Sequence, residues 1–244
     1  MEVQTDKRMS LEEAVSRFVT DGCYVALGAI VSREPMAVCY EIIRQRKRNL
    51  TYITDSSVEP TELLIAGGCV SRVEAAYIWV GGVGLAHNYR RAVEKGIPNY
   101  LEVEEYSNLG ISMRFMAGGL GVPFMPLKTM LGTDIISHNP RIKVIDDPYE
   151  GGPVGLVPAA TPDVGFIHIQ RADKDGNSQI WGMLGNDDNI ARAAKKVVIT
   201  CEEIVHTSEI RKIPNMTAIP SYCVSAIVTA GLIQYHRVLF PVPE

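Results

Sequence analysis

The sequence predicts an α/β protein: an open, largely parallel, doubly wound sheet with helices on both faces. Three observations carry this expectation. Through the first half of the chain, short apolar runs rich in β-branched residues alternate with helical segments of about ten residues, the pattern of βαβ crossovers. The 244 residues, 46% hydrophobic and 21% charged, are enough for one sizeable core. No repeat, linker or low-complexity stretch divides the chain, so a single domain over 1–244 is expected.

The elements follow in order. Ser10 and Glu13 make a capping box, and Leu11, Ala14, Val15, Phe18 and Val19 share one face of the first helix, which Gly22 is expected to close. "CYVALGAI" reads as a buried strand ending in a loop at Gly28, and Pro35 opens a helix through Ile43. "LTYITDSS" is a strand with Ser56 and Ser57 just past its end. A helix at "PTELLIAGG" leads to the strand "EAAYIWVGG", then to the helix "LAHNYRRAVEKG" closed by Gly96. "YLEVEEYS" is the next strand, followed by a helix through Met116. The rest is richer in strand, with "KVIDD", "VGLVPA", "VGFIHIQ", "NSQIWG" and "KVVITCEE" interrupted by one helix over about 188–196.

Composition excludes several classes of function. A net charge of -4 leaves nothing to neutralise a nucleic-acid backbone. The one basic cluster, Arg44, Arg46, Lys47 and Arg48, complements the negative end of a helix dipole. Cys23, Cys39, Cys69, Cys201 and Cys223 are odd in number and widely spaced, which fits reduced, mostly buried thiols of a cytoplasmic protein. No apolar leader or membrane span is legible.

Familiar motifs fail on their details. In "GGVGLAH" the third glycine of a dinucleotide fingerprint is replaced by His87. "DKDGNSQIWG" has its glycine at the fourth loop position instead of the sixth and lacks the closing glutamate of a calcium loop, so it reads as a hairpin turn. The five histidines have no metal-ligand spacing, and His168 is expected in the core. Glu150 reads as a solvated turn residue, and Glu202 and Glu203 as strand-end or rim groups.

In an open parallel sheet, ligands bind outside the carboxyl ends of the strands. That rule gathers Gly28, Ser56, Ser57, Gly81, Gly82, Glu104, Tyr106 and Asn108 at one edge as candidate substrate-binding residues. In "EVEEYS", a regular strand places Glu102 and Glu104 on one face and Glu105 on the other. Glu105 stands nearest the strand's end, just before Tyr106 and Asn108, which have the polar groups to orient a carboxylate.

Several stretches in order, "SLEEAVSRFVTDGCYVALGA", "REPMAVCYEIIRQRKRNLTYIT", "GGLGVPFMP", "ADKDGNSQIWG", "IARAAKKVVITCEEI" and "IPSYCVSAIV", resemble the alpha subunit of family I CoA-transferases, with the nearest likeness to glutaconate CoA-transferase. The resemblance implies a doubly wound fold and a heteromeric enzyme, α2β2 or larger, that takes a coenzyme A thioester as substrate and holds no permanent cofactor. It also implies a ping-pong reaction through a glutamate of the beta subunit, in a motif this chain lacks. Some relatives on this scaffold are CoA-thioester ring-opening hydrolases or acyl-CoA decarboxylases. In the hydrolases a carboxylate of the alpha chain takes over, and local similarity places it at Glu105, the candidate catalytic residue. A non-catalytic ligand-binding domain of the same sheet type is the alternative from another class.

Overall fold

The computed structural model of the chain describes residues 6–28, 33–56, 59–79 and 84–230. Strands and helices alternate through its first half as α1 (Leu11–Phe18), β1 (Tyr24–Leu27), α2 (Met36–Arg44), β2 (Leu50–Thr54), α3 (Glu59–Ala66), β3 (Val70–Ala75), α4 (His87–Lys95), β4 (Glu102–Glu105) and α5 (Asn108–Leu120). The chain then leaves the sheet for β5 (Phe124–Leu127), α6 (Asp134–His138), β6 (Lys143–Asp146) and β7 (Pro153–Pro158). It returns through β8 (Val164–Asp173), β9 (Ser178–Gln179), α7 (Asp187–Ala193), β10 (Lys196–Val205), α8 (Thr207–Lys212), β11 (Thr217–Ile219) and β12 (Ala226–Thr229).

The main sheet has nine strands. Parallel pairing runs β12-β10-β8-β1-β2-β3-β4. The antiparallel β9 joins β8 at Arg171 and Ala172, beyond the end of β1, and β11 pairs with β9. Such a sheet needs cover on both faces, and successive residues show which side each cover occupies. Val25, Leu27, Tyr52, Val73, Phe166 and Val198 pack under α1, α2, α3 and α4. Ala26, Ile53, Ile167, Ile169, Val197 and Ile199 pack under α5, α7 and the layer beyond them. That layer is a separate three-stranded antiparallel sheet, β5-β7-β6. The sequence shows its strands but gives no sign that they leave the main sheet.

The capping box is half present: Ser10 accepts from the Glu13 N–H, and the helix is capped at Val19, with Gly22 in a turn beyond it at φ 79°. Gly96 closes α4 in the left-handed conformation as expected. The strand expected over "EAAYIWVGG" stops at Ala75, because Ala75 pairs with the last residues of both neighbours, Thr54 and Glu105. The "DKDGNSQ" segment is the β8–β9 turn, where Asp173 accepts from the N–H groups of Asp175, Gly176 and Asn177. His168 is buried and bonds Thr200 across the sheet at 2.9 Å. The five cysteines are free, four of them buried.

Gly118 marks where α5 comes closest to its surroundings. A Cβ there would lie 2.0 Å from the Ala160 carbonyl oxygen and 3.1 Å from the Ala193 Cβ, so only a bare Cα lets α5 settle against α7 and the entry to β8. Gly118→Ala is therefore expected to destabilise the fold by about 1–3 kcal/mol despite its gain in helix propensity. Urea unfolding measures this, and a neutral or stabilising result would show that α5 has room to move.

Candidate functional site

The carboxyl ends of β1, β2, β3 and β4 form one edge, and the structure divides the expected residues there into two groups. Gly28 and Ser56 leave β1 and β2 at this edge: the Gly28 N–H donates to the Phe166 carbonyl at 2.7 Å, and Ser56 is buried. Glu105, the last residue of β4, is exposed, and its carbonyl accepts from the Asn139 side chain at 2.8 Å. Its side chain lies on the α4 face, where its charge and, above all, burial push the Tyr89 phenol up. Asn108 is exposed at the first position of α5, behind the capping Ser107. Ser57, Gly81 and Gly82 lie outside the described residues.

Glu104 and Tyr106 turn the other way, under α5. The period-2 reading of "EVEEYS" is met, with Arg72 pairing both Glu102 and Glu104. However, the Tyr106 hydroxyl donates to Glu104, so it does not orient Glu105. Around this pair lies a buried ionic network. Arg114 of α5, 1% exposed, reaches Glu74 of β3 at 2.8 Å, and its guanidinium stacks 4.2 Å from the Tyr106 ring centre. Tyr24 donates to Glu74 at 2.6 Å, and Arg141 approaches Glu104 at 3.6 Å. Burial pushes both phenols up, which keeps them protonated donors at neutral pH.

At the carboxyl edge itself, the residues that sequence reasoning missed are Arg33, Asp55, Asn186 and Asp187. Arg33 and Asp187 form an ion pair of 2.7 Å with both side chains nearly inaccessible. Asp55, just past β2, accepts from Asn186 at 2.8 Å and from the Ser56 N–H at 2.7 Å. Burial is the largest influence on its carboxyl group and raises its pKa above the usual 3.8. The available signal was small: the acids of "GNDDN" open a helix, where they read as dipole partners. Just past the end of β3 and ahead of α4 and α7, Tyr77, Trp79, Leu85, Met183 and Leu184 remain exposed. Among the described residues there is no group of His, Cys, Asp or Glu able to hold a metal, and no helix long and apolar enough to cross a membrane.

A largely parallel sheet covered by helices on both faces, with buried polar groups at its carboxyl edge, defines an α/β protein of the doubly wound class, in which that edge is the usual place for a ligand. The chain belongs to the coenzyme A transferase family, whose sequence profile matches residues 8–230. It is 40% identical over 221 residues to the A subunit of the 3-oxoadipate CoA-transferase of Pseudomonas knackmussii, covering 90% of this chain and 77% of that one. The A subunit of the glutaconate CoA-transferase of Acidaminococcus fermentans is 34% identical over 242 residues, covering 92% and 75%. The crystal structure of that transferase superposes with a TM-score of 0.87 over 92% of this chain and 76% of that one. An uncharacterized protein of Archaeoglobus fulgidus is 47% identical over 225 residues; the match covers 91% of this chain and half the length of that relative.

The buried Asp55 gives a pH signature. Between the ordinary carboxylate pKa and the raised folded value, the folded protein keeps a proton that the unfolded chain has released. Stability contributed by this group is thus complete at low pH and is lost as pH rises through the folded pKa. Asp55→Asn is expected to flatten that limb of the melting temperature against pH. An unchanged pH profile would mean that Asp55 titrates alike in both states.

Proposed function

We propose that the chain is the alpha subunit of a heteromeric acyl-CoA transferase that moves coenzyme A between small carboxylic or dicarboxylic acids. The observation that carries this reading is the match along nearly the whole chain to the A subunits of two such transferases. The exposed apolar side chains past β3 and ahead of α4 and α7 support a shared site, with a beta subunit forming its other wall in an α2β2 or larger assembly. The chain acts as one domain, in the cytoplasm, with coenzyme A as substrate and no resident cofactor.

In this reading a beta-subunit glutamate attacks the thioester carbonyl of the acyl-CoA and expels the CoA thiolate, leaving an acyl anhydride on the enzyme. The thiolate then attacks the glutamyl carbonyl, giving the enzyme thioester and the free acid. The second acid reverses both steps. The alpha chain's part is to bind and to exclude water, since the anhydride hydrolyses when exposed. Ser56 and Asn108 are assigned to substrate binding at this edge, as are Ser57, Gly81 and Gly82 from their place in the sequence, while Gly28, assigned with them, gives its missing Cβ to the Asp187 carboxylate. Glu104 and Tyr106, bonded to each other beneath α5, support the wall from behind. Glu105 lines the pocket from the end of β4.

A second reading, a CoA-thioester hydrolase or decarboxylase subunit, rests on Glu105 being an exposed carboxylate at the strand end, outside the ionic network that holds Glu104. With a partner that has no nucleophilic glutamate, Glu105 would serve as general base.

Two measurements test this. The purified chain alone should show no CoA transfer, whereas co-purification with its beta subunit, through an interface of over ~2,000 Å², should restore it. Turnover by the isolated chain would refute the shared site. In the assembled transferase, Glu105→Gln should slow single-turnover transfer by about 10–100-fold, equivalent to about 1.4–2.8 kcal/mol of barrier. A loss of ~10²–10⁴-fold with a partner lacking the glutamate would assign general-base chemistry. A rate within about twofold of wild type would return Glu105 to the solvated rim.

A further inference from the structure

The start of α7 meets the ends of both strands that open onto the substrate edge. Asp187 is wholly buried, with its Oδ2 2.7 Å from Arg33 Nη1. The same nitrogen donates to the His168 carbonyl at 2.8 Å, and Nη2 donates to the Met183 carbonyl at 2.6 Å. The other carboxylate oxygen of Asp187 rests against Gly28, where a Cβ would lie 2.3 Å from it. One aspartate thus touches Gly28, where the chain leaves β1, and holds Arg33, where the described chain resumes ahead of α2. The residue before it treats β2 likewise. Asn186 donates to Asp55 Oδ2 at 2.8 Å and to the Ser112 Oγ of α5 at 3.1 Å, while Asp55 Oδ1 accepts the Ser56 N–H.

A buried ion pair is a poor means of stabilisation alone, because well-packed apolar side chains do as well or better. What it supplies is a fixed direction: charge-assisted hydrogen bonds hold their partners to a few tenths of an ångström and one orientation. Here the directions converge on two segments whose placement sets the substrate edge. We infer that Asn186 and Asp187 are positioning residues of the transferase site, acting through Asp55 and Arg33 to fix the chain at the end of β2 and on either side of the β1–α2 connection, at Gly28 and Arg33. They touch no reacting atom. This role rests on the transferase reading for its kinetic consequence, and on the geometry alone for its structural one.

The test uses the enzyme assembled with its beta subunit. Asn186→Ala should lower kcat by about 10–100-fold with KM within about threefold, because misplacement by about 1 Å far from the chemistry has effects of this size. Amide exchange should quicken in peptides covering 50–60 and hold elsewhere in the sheet. Asp187→Asn strands the Arg33 charge and should lower the melting temperature as well as kcat, with faster exchange over 24–36. The charge-free double variant Arg33→Met/Asp187→Leu should recover the melting temperature while kcat stays low, a separation that a merely structural role would not produce. Wild-type kcat in that double variant, or unchanged exchange over 50–60 in Asn186→Ala, would overturn the inference. If the wild-type assembly transfers no CoA, the transferase reading fails by itself, and the exchange measurements still decide whether α7 holds these strand ends.

Discussion

The Arg114–Glu74 pair is the contact on which the outer half of the molecule depends. It joins the middle of α5 to Glu74, the last residue but one of β3, at 2.8 Å, with both side chains almost completely removed from water. Removing Glu74 would strip the buried Arg114 guanidinium of its carboxylate, at a cost of about 3–5 kcal/mol, whereas Glu74 without Arg114 would keep Arg72 and Tyr24. The pair therefore holds α5 over β3 and β4 and fixes which side of β4 faces inward. Glu104, two residues from its own hydrogen-bonded Tyr106, belongs to that inner side. Because side chains alternate along a strand, Glu105 is left facing outward at the strand's end. The orientation of the candidate catalytic carboxylate thus follows from an ion pair that it does not join.

The two faces of the sheet are built differently. Under α1 to α4 the packing is mainly apolar, with the buried His168–Thr200 hydrogen bond and the Glu62 bonds to the start of α4 among it. Under α5 and α7 the core is apolar beside β8 and β10 but ionic beside β3 and β4. Apolar packing tolerates exchange of similar volumes, whereas the ionic half accepts one arrangement of donors and acceptors. The α7 side of the same face carries the Arg33–Asp187 pair to the carboxyl edge. Directional bonding is placed where an edge must stay in register, and apolar packing supplies the bulk elsewhere.

Much of this was legible in the sequence. Alternation of "CYVALGAI", "LTYITDSS" and "YLEVEEYS" with amphipathic helices gave the parallel sheet, and period-2 spacing separated Glu104 from Glu105. The partners of those glutamates were not legible. Arg114 appears in "NLGISMRFMAGGL" as one ordinary cation in a helix, and Glu74 as one ordinary acid in a strand. Their contact spans 40 residues and depends on how α5 lies across the sheet. Asn186 and Asp187 have a sufficient local explanation at a helix start, which hides their long-range one. The separate β5-β7-β6 sheet escaped for another reason: a short alternating run shows that it is a strand without showing which sheet it joins.

The segment ahead of α1 shapes how the molecule meets others of its kind. The Met9 N–H donates to the Ile227 carbonyl, and the Ile227 N–H donates to the Lys7 carbonyl, so this segment lies along β12 as a parallel strap. At the opposite flank, the Asn139 side chain occupies the last carbonyl of the four-residue β4. Neither flank presents a long bare row of backbone groups, the template on which unrelated chains stack into fibrils. Trimming the strap past Met9 would strip that guard from β12 while leaving the pairing of β1 to β4 in place. A shortened protein could therefore keep its fold and still be lost to solution through its flank.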